Sequence, residues 1–270
     1  MTAPDSRTPF AAPAPTTHRA VAYMTGSLPM GGQVANTPVF AFHQTPVELA
    51  LVAQPVALHP QRHDISLDGL LVFEITDVLT AAESDALVAA TEVLGYRDEA
   101  PGIQTPPGMR MNKSVHWIAP AAMMAEIYRR IAPLLPPTLD SRPLAPRLSQ
   151  RLNMYRYDTD NVFNRHIDGD WPGYGLGSHA EDPAAHMVEW TDCRSMLTMI
   201  IYLNGPEDGV IGGQTRLFGR KGSVVDVTPR KGSALFFRHG FDPQSVMHEG
   251  CRVTGEAAKY VARVNVMYAT

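Results

Sequence analysis

The second half of the chain alternates short apolar runs with clusters of glycine, proline and aspartate. Residues 195–204 are a nearly continuous apolar run that ends in Asn-Gly-Pro, which is typical of a buried strand. Other β-rich runs predict strands between turn residues, at 151–157, 212–218, 223–228, 232–237 and 259–268. Such a series of short strands favours a sandwich or a jelly roll.

The first half of the chain predicts one strand and two helices. Residues 70–75 form a β-rich run, and a capping box from Thr80 to Glu83 opens a helix that ends near Gly95. A second helix follows Pro120. Apolar residues recur along it at helical spacing, at Met123, Ile127, Ile131 and Leu134. We expect these residues to lie in the core and both helices to brace one face of a sheet.

The chain begins with a segment of different composition. Residues 1–18 are low in charge and rich in proline and alanine, so we expect a disordered tail. Residues 19–65 contain short apolar pieces and are predicted to be an extension that packs on the core. The main domain would then cover residues 66–270, with its strand-rich core at about 150–270.

Composition changes this picture little. The chain has 270 residues, of which 44% are hydrophobic and 19% charged, enough for one sizeable core. A net charge of −4 gives no basic surface for nucleic acid, and no apolar run reaches the length of a membrane span. The start lacks the basic and apolar parts of a signal peptide, so we expect a cytoplasmic protein. Cys193 and Cys251 are expected to be reduced thiols, and nothing indicates the oligomeric state.

Three residues in this pattern could hold a metal ion. His166 and Asp168 are two positions apart, so on one strand they would point to the same face. A returning strand could bring His248 beside them. Two imidazoles and one carboxylate on one side of an ion form the facial triad of non-haem iron(II) oxygenases. The spacing alone has low specificity, because the chain has ten histidines.

Motifs around these residues follow one another in a set order between residues 151 and 268. They are Tyr157, His166-x-Asp168, Tyr202-Leu-Asn204, Gly212-Gly-x-Thr215, Gly232-Ser-Ala-Leu-Phe-Phe237, and His248-Glu-Gly250 followed by Lys259. This series resembles the prolyl-4-hydroxylase-like branch of the iron(II)/2-oxoglutarate-dependent dioxygenases. The resemblance implies a mainly β fold with flanking helices (α+β) around a double-stranded β-helix core of the jelly-roll, cupin-like type.

The resemblance also implies cofactors and a reaction. Fe(2+) would be bound by His166, Asp168 and His248, with 2-oxoglutarate as co-substrate, O2 as oxidant and L-ascorbate as an optional reductant. The reaction would hydroxylate an unactivated C–H bond and release succinate and CO2. Because related halogenating enzymes lack the carboxylate ligand, the presence of Asp168 favours hydroxylation.

The far carboxylate of 2-oxoglutarate needs a basic partner. By resemblance this partner is Lys259, which lies one residue later than the usual spacing, helped by the hydroxyl of Tyr157. Arg263 is the competitor, since it lies four residues on along the same strand face and could grip a carboxylate with two bonds. Thr198 and Thr215 are further candidates for lining this pocket.

Two other groups near the distal ligand could compete for the metal. We interpret His239 as a residue that supports the ligands, and Glu249 as pointing away from His248, because neighbours on a strand alternate. His116, His179 and His186 are expected to have no role at the metal.

Two segments are predicted to choose the substrate. The flexible stretch 102–113 offers Arg110 and Asn112, and the glycine-rich insertion 169–189 offers Trp171 and Tyr174 as part of a lid. The alternative for the insertion is a solvated loop without a role.

The substrate itself stays open at this point. A small molecule or a free amino acid is favoured over a prolyl residue in a peptide or protein, since no tethering domain is visible. Two alternatives come from other classes. A zinc hydrolase would not need the carboxylate-binding Lys259 and Tyr157, and a non-catalytic cupin-like binding protein would be expected to lack a metal ligand.

Overall fold

Strands dominate the computed structural model, which describes residues 17–51, 58–180 and 182–270. In chain order the strands are β1 (His18–Ser27), β2 (Gln33–Phe42), β3 (Gln61–Asp64), β4 (Val72–Thr76), β5 (Ala100–Pro101), β6 (Lys113–Ile118), β7 (Thr138–Leu139), β8 (Arg142–Leu148), β9 (Arg151–Tyr157), β10 (Phe163–His166), β11 (Pro172–Leu176), β12 (Met187–Tyr202), β13 (Thr215–Phe218), β14 (Val224–Val227), β15 (Ala234–Arg238), β16 (Met247–Gly250) and β17 (Lys259–Ala269). The helices are α1 (Ala81–Leu94) and α2 (Ala121–Ile131), and no helix in the described part of the chain is long and apolar enough to cross a membrane.

The strands form two sheets that face each other. The larger sheet has the order β3-β4-β15-β12-β17-β9-β6-β2-β1-β5, with β11 beside β12 and β8 beside β17, and the smaller one has the order β10-β16-β13-β14. Buried side chains of both sheets meet in one apolar cluster, such as Tyr202 and Phe237 with Phe163 and Leu217. This arrangement confirms the predicted jelly roll, or double-stranded β-helix.

The two helices pack on the opposite face of the larger sheet, as predicted. Leu87 of α1 and Ile127 of α2 share a buried cluster with Met154 and other strand residues that point away from the smaller sheet. The capping box is present, because the Glu83 amide donates to the Thr80 hydroxyl and the Thr80 amide donates to the Glu83 carboxylate. The helices therefore hold one face of the sheet and leave the other for the site.

Residues 18–42 add an antiparallel pair of strands to the larger sheet. β1 pairs with β2, and β2 lies beside β6. Val39 and Tyr174 belong to the same small buried cluster, so this pair of strands lies near the start of the 169–189 insertion. Of the predicted tail, residues 1–16 lie outside the described residues, and His18 already belongs to β1.

The insertion 169–189 contains a paired hairpin in addition to its loop. β11 pairs antiparallel with the first part of β12, which starts well before the predicted residue 195. A Cβ atom on Gly175 would lie 2.9 Å from the Trp190 ring, and one on Gly173 would come closer still. These glycines make room for an indole, so the interpretation of this stretch as a loop was wrong where the strands pair.

Candidate active site

The smaller sheet brings the three predicted metal ligands together. His166 at the end of β10 is the register partner of His248 in β16, and Asp168 follows two residues later. The His166 Nε2 lies 3.7 Å from Asp168 Oδ1, and the His248 Nε2 lies 3.8 Å from Asp168 Oδ2. One ligand atom from each residue can be chosen so that all three lie within 4.8 Å of one another.

Both imidazoles present a lone pair toward the carboxylate. The Nδ1 of His166 lies 2.7 Å from the Asn164 carbonyl oxygen, and the Nδ1 of His248 lies 3.1 Å from that of Val246. A carbonyl only accepts, so each Nδ1 carries the proton and each Nε2 is left unprotonated. Burial lowers the pKa of both rings, that of His166 to about 3. Both rings are therefore neutral, as metal ligation requires.

Asp168 is held through one of its two oxygens. Arg263 Nε donates to Oδ2 at 2.8 Å, and the Thr198 hydroxyl donates to the same oxygen at 2.7 Å. Burial would raise the pKa of Asp168, but the charge of Arg263 and the hydrogen bond from Thr198 lower it, and it lies well below its ordinary value. The carboxylate is thus ionised, and its Oδ1 accepts no hydrogen bond from any other residue in the described ranges. Two neutral nitrogens and this oxygen fit a divalent iron ion.

His239 supports this arrangement from behind. Its Nδ1 lies 2.8 Å from the Thr198 hydroxyl, and its Nε2 lies 2.8 Å from the Ser195 hydroxyl. Because Thr198 gives its proton to Asp168, it accepts from His239 Nδ1, and Nε2 accepts from Ser195. Glu249 points away and contacts Arg216 at 3.4 Å. Both observations agree with the sequence interpretation.

A narrow pocket lies on one side of the triad, between the two sheets. Its lining includes Tyr157, Thr215 and Lys259. Lys259 is 2% exposed, and its Nζ donates to the Gly213 carbonyl at 2.5 Å. No carboxylate of the described residues pairs with this ammonium, and burial lowers the pKa of Lys259 to about 8. A buried ammonium that has only neutral partners is stabilised when an anion binds beside it.

The two competing cations have separate contacts. Lys259 is the register partner of Tyr157, whose ring centroid lies 5.0 Å from the ammonium. Arg263 also lines this pocket, but its Nε bond goes to Asp168. Thr198 contacts Asp168 and His239 and is not part of the pocket lining, whereas Thr215 lines the pocket and accepts from Tyr202.

A larger cavity of about 460 Å³ opens on the other side of the triad. Trp171 and Tyr174 line it, as does the stretch 101–106. Polar groups from β9 and β17 reach it as well. These are Arg151, Asn153, Arg263 and Asn265. Phe241, which is fully exposed, stands at its rim.

Arg110 and Asn112 do not contribute to this cavity, contrary to the sequence interpretation. Arg110 is fully buried and donates to the carbonyls of Asn112 at 2.5 Å and of Ser27 at 3.1 Å. Asn112 is also fully buried and donates to the Lys113 carbonyl. Polarity in a flexible stretch suggested substrate contacts, but these side chains satisfy the backbone where the stretch joins β6. Neighbours such as Ile103 line the cavity instead.

The sequence interpretation missed Arg151, Asn153 and Asn265. A signal was present, because Arg151, Asn153 and Tyr155 alternate along a strand that is otherwise buried. Polar residues at alternating positions of a buried strand must meet either one another or a ligand. Which of the two applies depends on what the neighbouring strands bring to that face.

The cavity-bearing part of the chain also matches known proteins. Residues 152–267 match the family profile of the 2OG-Fe(II) oxygenase superfamily, whereas no curated protein matched the chain. The viral collagen prolyl hydroxylase of Paramecium Bursaria Chlorella virus-1 is 19% identical with a TM-score of 0.50, over 76% of this chain and 100% of that one. At this identity the similarity shows the fold alone.

Two further solved structures are similar at lower TM-scores. A prolyl-4-hydroxylase from Pseudomonas putida is 18% identical with a TM-score of 0.44, over 83% of this chain and 98% of that one. A prolyl hydroxylase from Trichoplax adhaerens is 17% identical with a TM-score of 0.48, over 73% of this chain and 83% of that one. That structure is a complex with a hypoxia inducible factor oxygen degradation domain peptide fragment.

The matched residues 152–267 span both sheets of the jelly roll and contain all three residues of the His-Asp-His cluster. The match and the cluster inside it identify residues 152–267 as a 2-oxoglutarate-dependent dioxygenase domain that uses Fe(2+), 2-oxoglutarate and O2.

Proposed function

We propose that this dioxygenase hydroxylates an unactivated C–H bond of a small molecule or free amino acid. The observation that carries the proposal is the cavity of about 460 Å³ whose wall includes His166 and Asp168. A volume of this order suits a small molecule. The cavity is walled by the paired strand β11 and by the stretch 101–106, so a ligand would be enclosed beside the triad.

We infer that His166, Asp168 and His248 hold the iron. The two unprotonated Nε2 atoms and the Asp168 carboxylate converge, and hydrogen bonds to Asn164 and Val246 fix both imidazole tautomers. Bound there, iron(II) would supply activation of dioxygen, with 2-oxoglutarate leaving as succinate and CO2. Arg263, together with Thr198, keeps the Asp168 carboxylate ionised and oriented.

Lys259 and Tyr157 are the proposed partners of the far carboxylate of 2-oxoglutarate. The ammonium of Lys259 has only neutral partners among the described residues, and Tyr157 lines the same narrow pocket. A carboxylate would give the buried ammonium a counter-charge and accept the hydroxyl proton of Tyr157. Arg263 is already engaged by Asp168, so its proposed role is to position that ligand.

Two measurements test this function. Anaerobic addition of Fe(II) and 2-oxoglutarate should produce a weak visible absorption band, and Asp168→Ala should lose it. Release of succinate should then be followed across small molecules, free amino acids and prolyl peptides. Stimulation by peptides alone would contradict the small-molecule proposal. Absence of both the band and succinate release would contradict the proposed use of the cluster in an oxygenase.

A further inference from the structure

A second buried cation lies at the opposite end of the strands that carry Lys259. β9 and β17 run antiparallel, with Lys259 opposite Tyr157 and Arg263 opposite Asn153. Arg151 lies on the same face as Tyr157, six positions away, which is about 20 Å along a strand. The His-Asp-His triad contacts this pair of strands at Arg263, whose Nε donates to Asp168. One cation therefore lies on each side of the triad.

Arg151 is buried without a counter-charge. The residue is 7% exposed, and its Nη2 donates to the Pro101 carbonyl at 2.8 Å and to His116 Nδ1 at 3.0 Å. Its Nε has no partner, and no carboxylate of the described residues pairs with the guanidinium. Arg263 on the next strand, in contrast, is paired with Asp168. Neutral partners orient Arg151 but do not offset its charge, and a buried guanidinium cannot lose its proton.

The surroundings of Arg151 complete a site. The side-chain oxygens of Asn153 and Asn265 are buried without hydrogen-bond partners, and both residues line the cavity. The guanidinium carbon lies 6.0 Å from the ring centroid of Trp171 and 5.4 Å from that of Tyr174. The cavity thus offers one cation, two amides and an aromatic wall at the end away from Lys259.

We propose that Arg151 binds a carboxylate of the substrate, which is therefore a small carboxylic acid. This inference rests on the proposed function and names the substrate class for the same cavity. Asn153 and Asn265 accept hydrogen bonds from an amino or hydroxyl group of that acid, as a free amino acid carries. A monoanion fits better than a phosphate, because Arg151 is the one cation of the cavity lining without a carboxylate partner among the described residues. Holding the carboxylate at Arg151 would direct the rest of the molecule toward Asp168.

Binding without turnover tests the inference. The full-length protein is loaded with Mn(II) and saturating 2-oxoglutarate under anaerobic conditions, so that the Lys259 pocket is occupied. Carboxylic acids are then compared with the matching carboxamides by thermal shift and by quenching of tryptophan fluorescence. The acids are the twenty free amino acids, their N-acetyl derivatives and a set of small hydroxy acids. At least one acid should bind about ten- to a hundredfold more tightly than its carboxamide. Equal binding of acid and carboxamide, or no binding of any acid, would overturn the inference.

Variants locate the effect. Arg151→Gln should remove the preference for the acid, and Arg151→Lys should retain part of it because the charge remains. The matched control is Arg147→Gln, which removes a guanidinium that pairs with Asp192 at the surface, outside the cavity lining. It should bind the acid as the wild type does.

If Arg151→Gln does not fold, the comparison of acids with carboxamides on the wild type still tests whether the cavity prefers a carboxylate. An acid that binds at Arg151 but yields no succinate would contradict the proposed function alone, whereas turnover of a neutral substrate would contradict this inference alone.

Discussion

Asp168 receives both of its described side-chain hydrogen bonds on the same oxygen. Arg263 and Thr198 both donate to Oδ2, so the carboxylate cannot rotate without breaking a charge-assisted bond. The same two bonds support the proposal that Arg263 and Thr198 position Asp168, while Lys259 binds the far carboxylate of 2-oxoglutarate. At the residue scale, Arg263 is thus paired with the carboxylate of Asp168, whereas Lys259 has no carboxylate partner among the described residues.

Loss of any one of the three proposed ligands should abolish iron-dependent turnover while the fold survives. His166→Ala, Asp168→Ala and His248→Ala should each weaken binding of Fe(II) by at least about a hundredfold, because three protein ligands are the minimum of a facial site. Metal titration and thermal unfolding would measure both effects. The control is His186→Ala, since His186 is exposed and outside the cluster. A His248 variant with wild-type iron affinity would remove His248 from the site.

Lys259 and Arg263 should have different effects when each is replaced by alanine. Lys259→Ala should weaken 2-oxoglutarate by about ten- to a hundredfold, because a charge-assisted contact is lost in a buried pocket. Arg263→Ala should chiefly weaken Fe(II), because Asp168 loses its partner. Separate titrations of metal and 2-oxoglutarate distinguish the two, with Lys259→Arg as the charged control. The reverse ranking would assign the carboxylate to Arg263.

The affinity for 2-oxoglutarate should depend on pH through Lys259. Burial lowers the pKa of Lys259 to about 8 in the free protein, below its ordinary value of 10.5. The affinity should therefore be constant below about pH 8 and fall by up to about tenfold per pH unit above it. Between pH 8 and 10.5 the ligand-free fold should become more stable as pH rises, because the unfolded chain binds a proton that the fold does not. Binding measured from pH 7 to 9.5 checks this, and the affinity of Lys259→Arg should stay flat. A flat wild-type profile would contradict it.

At the scale of elements, the β11–β12 hairpin forms one wall of the larger cavity. Trp171 precedes β11, Tyr174 lies within it, and the Trp190 ring of β12 covers the two glycines of β11. The hydroxyls of Ser149 and Ser195 accept hydrogen bonds from the backbone amides of Tyr174 and Trp171. The wall is therefore fixed by sheet pairing, which suits a cavity with a defined shape.

Gly173→Ala should destabilise this wall. A Cβ atom at Gly173 would collide with the Trp190 ring, and overpacking of this kind costs about 1–3 kcal/mol in the free energy of unfolding. The matched control is Gly169→Ala in the same segment, where a Cβ would make an ordinary contact of 3.6 Å with Trp171. Chemical denaturation of both variants measures the difference. Equal stability of the two would mean that the indole can move away at little cost.

At the scale of the whole molecule, the N-terminal strands connect to the cavity wall. Val39 of β2 shares a buried cluster with Tyr174, and Arg19 of β1 donates to the carbonyls of Ala185 at 2.7 Å and Asp182 at 2.6 Å. The segment predicted as an extension thus contacts the hairpin at two places. We propose that it supports the dioxygenase domain of residues 66–270 rather than forming a site of its own.

Deletion of residues 1–43 should weaken substrate binding more than binding of the cofactors. It removes β1 and β2, exposes the edge of β6 and uncovers Tyr174, while the triad and Lys259 lie elsewhere in the sheets. Substrate KM should rise about tenfold or more, and affinities for Fe(II) and 2-oxoglutarate should stay within about threefold. Deletion of residues 1–16 is the control and should change neither. An unchanged KM in the longer deletion would separate these strands from the cavity.

The sequence by itself determined which residues could carry the proposed chemistry of the site. The strand periodicity put Lys259 and Arg263 on one face of β17, because side chains of a strand alternate whatever surrounds them. The spacing of His166 and Asp168 suggested two neighbouring ligands, although β10 ends at His166 and Asp168 lies just beyond it. The capping box at Thr80 and the apolar spacing of α2 are equally local, so both helices were predicted close to their observed positions. Strand faces, helix caps and apolar helix faces depend on residues close in the sequence, so the sequence alone predicts them.

Only the tertiary structure decided which polar residue meets which partner. Arg110 and Arg151 are both arginines among apolar residues. Arg110 nevertheless donates to backbone carbonyls away from the cavity, whereas Arg151 lines the cavity. The glycines of residues 169–189 suggested a loop, whereas Trp190 from the paired strand explains Gly173 and Gly175. These outcomes depend on side chains and carbonyls that arrive from distant parts of the chain. Burial makes such contacts decisive, because a polar or charged group without water must find its partner within the fold or in a ligand.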